Sequence, residues 1–263
     1  MSRRAQYLQA LGIDVWTARA RSVEAPEAVP AAPQPGAPVA PAMPAEPSTR
    51  SAPEPMPAPA AGRAVAVDRS DWAGLQALVS GCQRCSLAKT RTQTVFGVGN
   101  PRAPVLVVGE APGADEDRQG EPFVGRAGQL LNSMLRALGQ PRETVYIANV
   151  LKCRPPGNRD PSPAEVACCL PYLQRQIELI GPRLLLVVGR IAAQNLLATD
   201  EPIGRLRGRV HRFGAGGTPL VVTYHPAYLL RSPGEKRRAW ADLKLAREQL
   251  ELARRGPEAR GLH

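Results

Sequence analysis

Four short apolar runs recur through the last two thirds of the chain: Ala103 to Gly109, Val145 to Leu151, Arg183 to Gly189 and Leu220 to Thr223. Each is rich in Val, Ile and Leu with almost no polar alternation, the pattern of strands buried on both faces. Between them the spacing changes to that of helices. Gly125 to Leu138 has leucines at 130, 131, 135 and 138, and Pro163 to Ile180 opens with a proline in its first turn. A short helix is predicted over Ile191 to Leu197 and a long basic one from about Glu235 to Arg255. Upstream, Ser70 to Val79 has apolar residues at 72, 75, 78 and 79 behind an N-cap candidate, so a helix runs into the Cys82/Cys85 turn. Glu110 to Asp117 reads as a glycine-containing turn after the first strand. Strands alternating with helices predict an α/β fold: three layers, α/β/α, around a central four-stranded parallel sheet with its chemistry along the strand carboxyl ends.

The periodic pattern is absent before residue 70. Between Arg21 and Arg63 lie 12 of the 28 prolines, mixed with Ala and Glu and almost no large apolar side chains. Such a segment cannot build a core and is expected to be a disordered, extended tether. Ahead of it, Tyr7, Leu8, Leu11, Ile13 and Trp16 can form one apolar patch, as a docking peptide would. The expected organisation is a docking peptide over 1–19, a linker over 20–68, a catalytic domain over 69–255 and a flexible tail over 256–263.

Charge changes the picture by where it sits. Residues 1–69 hold 7 Lys/Arg against 6 Asp/Glu, leaving 27 against 17 for 70–263 out of the chain's 34 and 23. An excess of ten on the folded part points to a polyanionic partner. There is no run of 18 apolar residues and no apolar core of a signal peptide in the first twenty, so a cytoplasmic protein without membrane contact is expected.

In that compartment thiols stay reduced, which gives the five cysteines another use. Cys82-Gln-Arg-Cys85 is a C-x-x-C pair, Cys153 follows the second strand inside Asn149-Val-Leu-Lys-Cys-Arg-Pro-Pro-Gly-Asn158, and Cys168-Cys169 lie downstream. The Pro-Pro-Gly after Cys153 stops helix and strand alike and leaves its side chain in a loop. With Cys153 and one of Cys168/Cys169, the pair makes a four-thiolate set suited to structural zinc or to a [4Fe–4S] cluster.

Three strand ends deliver polar groups: Glu110 after the first, Asn149 after the second and His225 after the fourth. A strand-end histidine is the leading acid or electrophile, and Phe123 in Glu121-Pro-Phe-Val-Gly125 offers an aromatic face to a planar ligand.

These residues and their neighbours resemble family 4 uracil-DNA glycosylases, the iron–sulfur branch, from about Leu75 to Leu250. The matching pieces are Gly109-Glu-Ala-Pro-Gly113, Pro122-Phe-Val-Gly-Arg-Ala-Gly128, Asn149 to Asp160, Cys169-Leu-Pro-Tyr-Leu173 and His225-Pro-Ala-Tyr-Leu-Leu-Arg231. The resemblance implies hydrolytic removal of uracil from single- or double-stranded DNA by a monomer, leaving an abasic site for base-excision repair. It implies a [4Fe–4S] cluster on Cys82, Cys85, Cys153 and Cys169, with Cys168 a spare thiol. It also implies Asn149 on the uracil edge, Phe123 stacked on the ring, His225 at the base O2, Glu110 near the anomeric carbon and Glu116 beside the base. Ala111 joins the substrate-binding set and, with Gly113, stands where the Gly-Gln-Asp-Pro-Tyr motif of other uracil glycosylases has its Asp and Tyr. The water therefore falls to Glu110 or to none, and thymine exclusion is assigned to Glu116. The loop from Arg154 to Pro163 has no histidine to trap the abasic sugar, so ordinary turnover is expected. The competing reading, an iron–sulfur DNA-binding or damage-sensing protein with little catalysis, has no need of Glu110, Asn149 and His225 together. Separately, Ser2 to Arg19 resembles the N-terminal peptide of the psi subunit of the bacterial clamp-loader assembly, which implies recruitment to a clamp-loader component.

Overall fold

The computed structural model describes residues 67–254. The docking peptide, the linker up to residue 66 and the tail at 256–263 lie outside the described residues. Six strands form one sheet: β1 (Val98–Gly99), β2 (Val105–Gly109), β3 (Tyr146–Asn149), β4 (Leu184–Val188), β5 (Val210–Phe213) and β6 (Thr218–Thr223), in the order β1-β3-β2-β4-β6-β5. β3, β2, β4 and β6 are mutually parallel, the four strands expected from the apolar runs. β1 and β5 extend them antiparallel at the two edges, so the sheet has six strands. The edges escape a pattern reading because β1 has two residues and Val210-His-Arg-Phe213 has none buried.

The helices are α1 (Trp72–Ser80), α2 (Ala114–Gln119), α3 (Arg126–Leu138), α4 (Pro163–Ile180), α5 (Arg190–Leu197), α6 (Ile203–Leu206), α7 (Pro226–Arg231) and α8 (Lys236–Arg254). Alternate strand residues enter different cores. Leu106, Val108, Leu185, Val187 and Val222 pack with α4 and α5. Val105, Val107, Leu184, Leu186 and Val221 pack with α3, α7 and α8. Every residue of β2 and β4 is buried, and each such Val or Leu side chain contributes about 1.5–3 kcal/mol by leaving water. The central strand ends are therefore the best-fixed points of the fold. No helix among the described residues is long and apolar enough to cross a membrane.

Local chemistry sets the helix starts. Asp71, not Ser70, caps α1: its Oδ1 accepts from Gly74 N at 2.8 Å, while the Ser70 hydroxyl donates to Val67 O at 2.7 Å. Ser162 and Glu165 cap α4 reciprocally, at 3.3 and 2.8 Å, ahead of Pro163. The expected turn over Glu110 to Asp117 becomes α2 from Ala114 onward, with three acidic residues in its first turn where the helix dipole favours them. His225, likewise read only as a strand end, is the N-cap of α7.

Candidate active site

Strand register brings the predicted residues together. Gly109, the last residue of β2, pairs with Asn149, the last of β3, and Glu110 follows Gly109 directly. β6 ends at Thr223 and presents His225 two residues on. Glu110, Ala111, Glu116, Phe123, Asn149 and His225 all line one cavity of about 430 Å³. Asn158 and Arg159 from the loop after β3, and Tyr228 and Arg231 from α7, complete it. These four sit inside the motifs quoted above, where the sequence gives no sign of which residues face inward.

Phe123 is held in an unusual backbone state. Its φ of 57° is left-handed, at a cost of roughly 1–2 kcal/mol for a residue with a Cβ. Arg142 holds it there, donating from Nη2 to Pro122 O at 2.8 Å and from Nη1 to Phe123 O at 3.4 Å and Asn132 Oδ1 at 3.2 Å. Arg142 belongs to no motif, and nothing in the sequence marks it. Two glycines make room: a Cβ on Gly128 would run into the Phe123 carbonyl, and one on Gly109 would stand 2.7 Å from the Phe123 ring. The ring lies 5.6 Å from the His225 imidazole, centroid to centroid, at 32°. An aromatic wall beside a polar floor suits a flat, polar ring.

The polar groups are prepared for such a ring. Asn149 is 2% exposed, and its Oδ1 is buried with no hydrogen-bond partner in the protein. A buried acceptor left open costs about 1–3 kcal/mol, which a ligand N–H recovers. His225 Nδ1 accepts from Ala227 N at 3.2 Å, so the neutral ring has its proton on Nε2. Burial, reinforced by the positive charge of Arg231, brings its pKa down to about 4. At neutral pH it is an uncharged donor. Burial, helped by Asp160 and opposed by Arg190, pushes Glu110 up to about 7. Glu116 lines the cavity and is also tied into its walls. Its Oε2 accepts from Gly113 N at 3.1 Å and its Oε1 from Val124 N at 3.2 Å, so the carboxylate ties the loop after β2 to the loop before α3. It acts on the cavity by fixing two of its walls. Arg159 is fixed in turn by Glu165, at 2.6 and 2.9 Å, which holds that carboxyl down at about 2.

The cysteines collect on the other side of β3. All five are free thiols; Cys153 and Cys169 are 2% exposed. The thiols are close enough to influence one another's ionisation: Cys85 feels Cys168 and Cys82, Cys153 feels Cys85 and Cys82, and Cys169 feels Cys153 and Cys85. Burial is the main reason that three of them resist ionising, with Cys85 and Cys153 raised and Cys169 pushed up to about 12. Arg91 Nη1 donates to Cys153 Sγ at 3.1 Å, and Cys168 Sγ donates to the carbonyl of Arg84, inside the Cys82/Cys85 turn, at 3.3 Å. Among the described residues no three His, Cys, Asp or Glu side chains are gathered to hold one metal ion. Soft thiol donors in a largely buried corner are the donor type used by structural zinc and by iron–sulfur clusters.

The comparisons agree with this arrangement. The uracil DNA glycosylase superfamily profile matches residues 96–244, from β1's approach to the middle of α8. The type-4 uracil-DNA glycosylase of Archaeoglobus fulgidus is 48% identical over 172 residues, 63% of this chain and 86% of that protein. Those of Pyrobaculum aerophilum and Thermotoga maritima are 42% identical over 181 residues and 44% over 155, covering 66% and 59% of this chain and 92% and 80% of theirs. With more than half of its length matched, including every strand of the sheet and the whole cavity, the chain belongs to the uracil DNA glycosylase superfamily.

Proposed function

We propose that the chain hydrolyses the N-glycosidic bond of deoxyuridine in DNA and leaves an abasic site. The observation behind this reading is the open Asn149 acceptor on the cavity floor beside the neutral His225 donor. The target base first leaves the duplex stack, which costs a few kcal/mol and is cheapest at a mispair. Phe123 stacks on the extruded ring. The Asn149 amide accepts from uracil N3–H and donates to O4; cytosine offers an acceptor and a donor in the opposite places and leaves both amide atoms unmatched. As the N1–C1′ bond breaks, its electron pair moves into uracil, and His225 Nε2–H donates to the negative charge growing on O2. Positive character develops at C1′, faced by the Glu110 carboxylate, which orients the water whose oxygen bonds to C1′ and itself takes up the proton that this water gives up; that proton ends on the departing uracil anion. The catalytic pair is Glu110 and His225. The positive excess outside the cavity binds the phosphates.

Cys82, Cys85, Cys153 and Cys169 would hold the [4Fe–4S] cluster, whose contribution is structural: four bonds stapling the end of α1, the loop after β3 and α4. Cys169→Ala is expected to lose iron and Cys168→Ala to keep it; stoichiometric zinc in anaerobically purified protein would contradict the cluster. Incubation with a uracil-containing oligonucleotide, followed by alkaline cleavage, tests the reaction directly. Strand breaks at uracil are expected, and their absence would refute the reading. Residues 1–19 serve recruitment in this proposal. Deleting 1–65 should leave excision nearly intact and abolish binding to a clamp-loader component, and a Trp16→Ala protein that retained every partner would refute that role.

A further inference from the structure

Three residues past Asn149, the Lys152 side chain is 1% exposed and has a full set of partners. Its ammonium donates to Asn149 O at 2.8 Å, to Gln176 Oε1 at 2.6 Å and to Phe96 O at 3.4 Å. Gln176, 0% exposed on α4, donates its Nε2 to the same Phe96 carbonyl at 3.0 Å. The Lys152 backbone is fixed as well: its carbonyl accepts from Val95 N at 2.8 Å, and its N–H lies against the Cys169 thiol. An ammonium has three donors, and here each finds an acceptor. Burial brings the Lys152 pKa down to about 7, and a buried amine is retained only where such bonds compensate for lost water.

One of these bonds reaches the peptide plane between Asn149 and Val150. The Asn149 carbonyl belongs to the plane that follows its Cα, so fixing that oxygen fixes the ψ of Asn149 and the direction in which its side chain leaves the strand. Beyond it, Val150 N donates to Gly109 O and Leu151 N to Glu110 O, both at 3.0 Å, so the chain leaving β3 is laid against the residues that bear Glu110. The side chain of Lys152 thus reaches the base-reading residue while its backbone meets the helix that bears Cys169.

We propose that Lys152 is a positioning residue for uracil recognition: it never touches the base, but it sets the orientation of Asn149 and links it to α4 and the thiol corner. The proposal rests on the glycosylase reading above.

The test is a double-mutant cycle in the full chain with two readouts. One is single-turnover excision from a uracil-containing duplex. The other is equilibrium binding to the same duplex bearing non-cleavable 2′-fluoro-2′-deoxyuridine, relative to 2′-fluoro-2′-deoxycytidine at that position, because Asn149 discriminates against the cytosine edge. Lys152→Met is expected to lower excision about 10–100-fold and to erode the binding preference for the uracil analogue. Added to Asn149→Ala, it should cost less than about threefold more, because a residue acting only through Asn149 has nothing left to position. Were Lys152→Met not to fold, Gln176→Leu, which removes the closest of the three acceptors, is read through the same cycle. Additive losses in either cycle, or parental excision and binding by both variants, would overturn the proposal. Parental protein that left uracil in place would overturn the glycosylase reading instead, while the binding cycle still judged Lys152.

Discussion

Asn149 and Lys152 are both buried, polar and at the end of β3, yet the chain around them treats them in opposite ways. Lys152 has an acceptor for every donor. Asn149 holds an acceptor that nothing in the protein meets. A fold that gives the buried amine a full set of partners and leaves the amide oxygen open is not short of partners. The difference separates a scaffold half of the strand end from a half kept for ligand. Glu110 and His225 belong to the second half: each has had its pKa moved by burial, and both face the same cavity.

If the open half performs the reaction, its donor must be the most damaging group to remove. His225→Ala should slow the chemical step by about two to four decades, the range for loss of one donor to a developing oxyanion, with a smaller loss of affinity. Single-turnover rates at saturating enzyme on one duplex measure it. Glu110→Gln should also act on the chemical step. Parental rates in both variants would erase the distinction and favour a binding protein.

The comparison also predicts opposite effects on stability within one strand end. Asn149→Leu removes a buried acceptor with no partner and should raise the unfolding free energy, by up to about 1–3 kcal/mol, while abolishing selective excision of uracil. Lys152→Met leaves the Asn149 and Gln176 oxygens unpaired and should lower it by about 1–3 kcal/mol for each. Urea titrations of the two variants beside the parent would show midpoints moving in opposite directions; movement in the same direction would mean that the Asn149 acceptor is satisfied in solution. Asn149→Asp, by contrast, should weaken uracil excision and admit cytosine, since a carboxyl can accept from the cytosine amine.

How much of this was legible follows from what a pattern can encode. β2, β3, β4 and β6 are buried on both faces, so their apolar runs are unmistakable, and the residue after each run falls at the sheet's carboxyl edge. Glu110, Asn149 and His225 could be picked out for that reason. Edge strands such as Val210-His-Arg-Phe213 bury less and have no pattern to read. Side-chain commitments were beyond reach. Glu116 looks like a free pocket carboxylate until its two oxygens are found on Gly113 and Val124. Lys152 reads as one more basic residue beside a cysteine until its burial is seen. Arg142 acts on a carbonyl nineteen residues back, a contact no local motif encodes.

A smaller effect is expected at the aromatic wall. Phe123→Ala should weaken capture of the extruded base by about 1–3 kcal/mol through lost stacking, with little change in the chemical step. Affinity for the 2′-fluoro duplex should fall while the saturated single-turnover rate holds. A fall in rate alone would mean that Phe123 orients His225, 5.6 Å away, rather than the base.

The gentlest probe of the open half is pH, and there the two shifted groups part company. Glu110 is pushed up to about 7, so at pH 6 only about a tenth is the carboxylate that C1′ requires and at pH 8 about nine tenths. His225, held down at about 4, stays neutral throughout that range. The single-turnover rate should therefore rise roughly tenfold from pH 6 to pH 8 along one limb centred near 7, and Glu110→Gln should flatten that limb. Stability behaves differently because the signs oppose. Glu110, raised in the folded state, keeps a proton that the unfolded chain loses from about 4.5 upward; its contribution is present below that pH and is lost as pH rises toward 7. His225, lowered in the folded state, contributes above about 6.5 and is lost as pH falls toward 4. Between about pH 4.5 and 6.5 the two slopes offset one another, so unfolding should show little net pH dependence from this pair while excision still climbs. Glu110→Gln exposes the His225 slope: the variant should lose stability on acidification through that window more steeply than the parent. Parallel pH–stability curves for variant and parent would mean that Glu110 ionises in the folded protein as it does in water, and the activity limb would then need another owner.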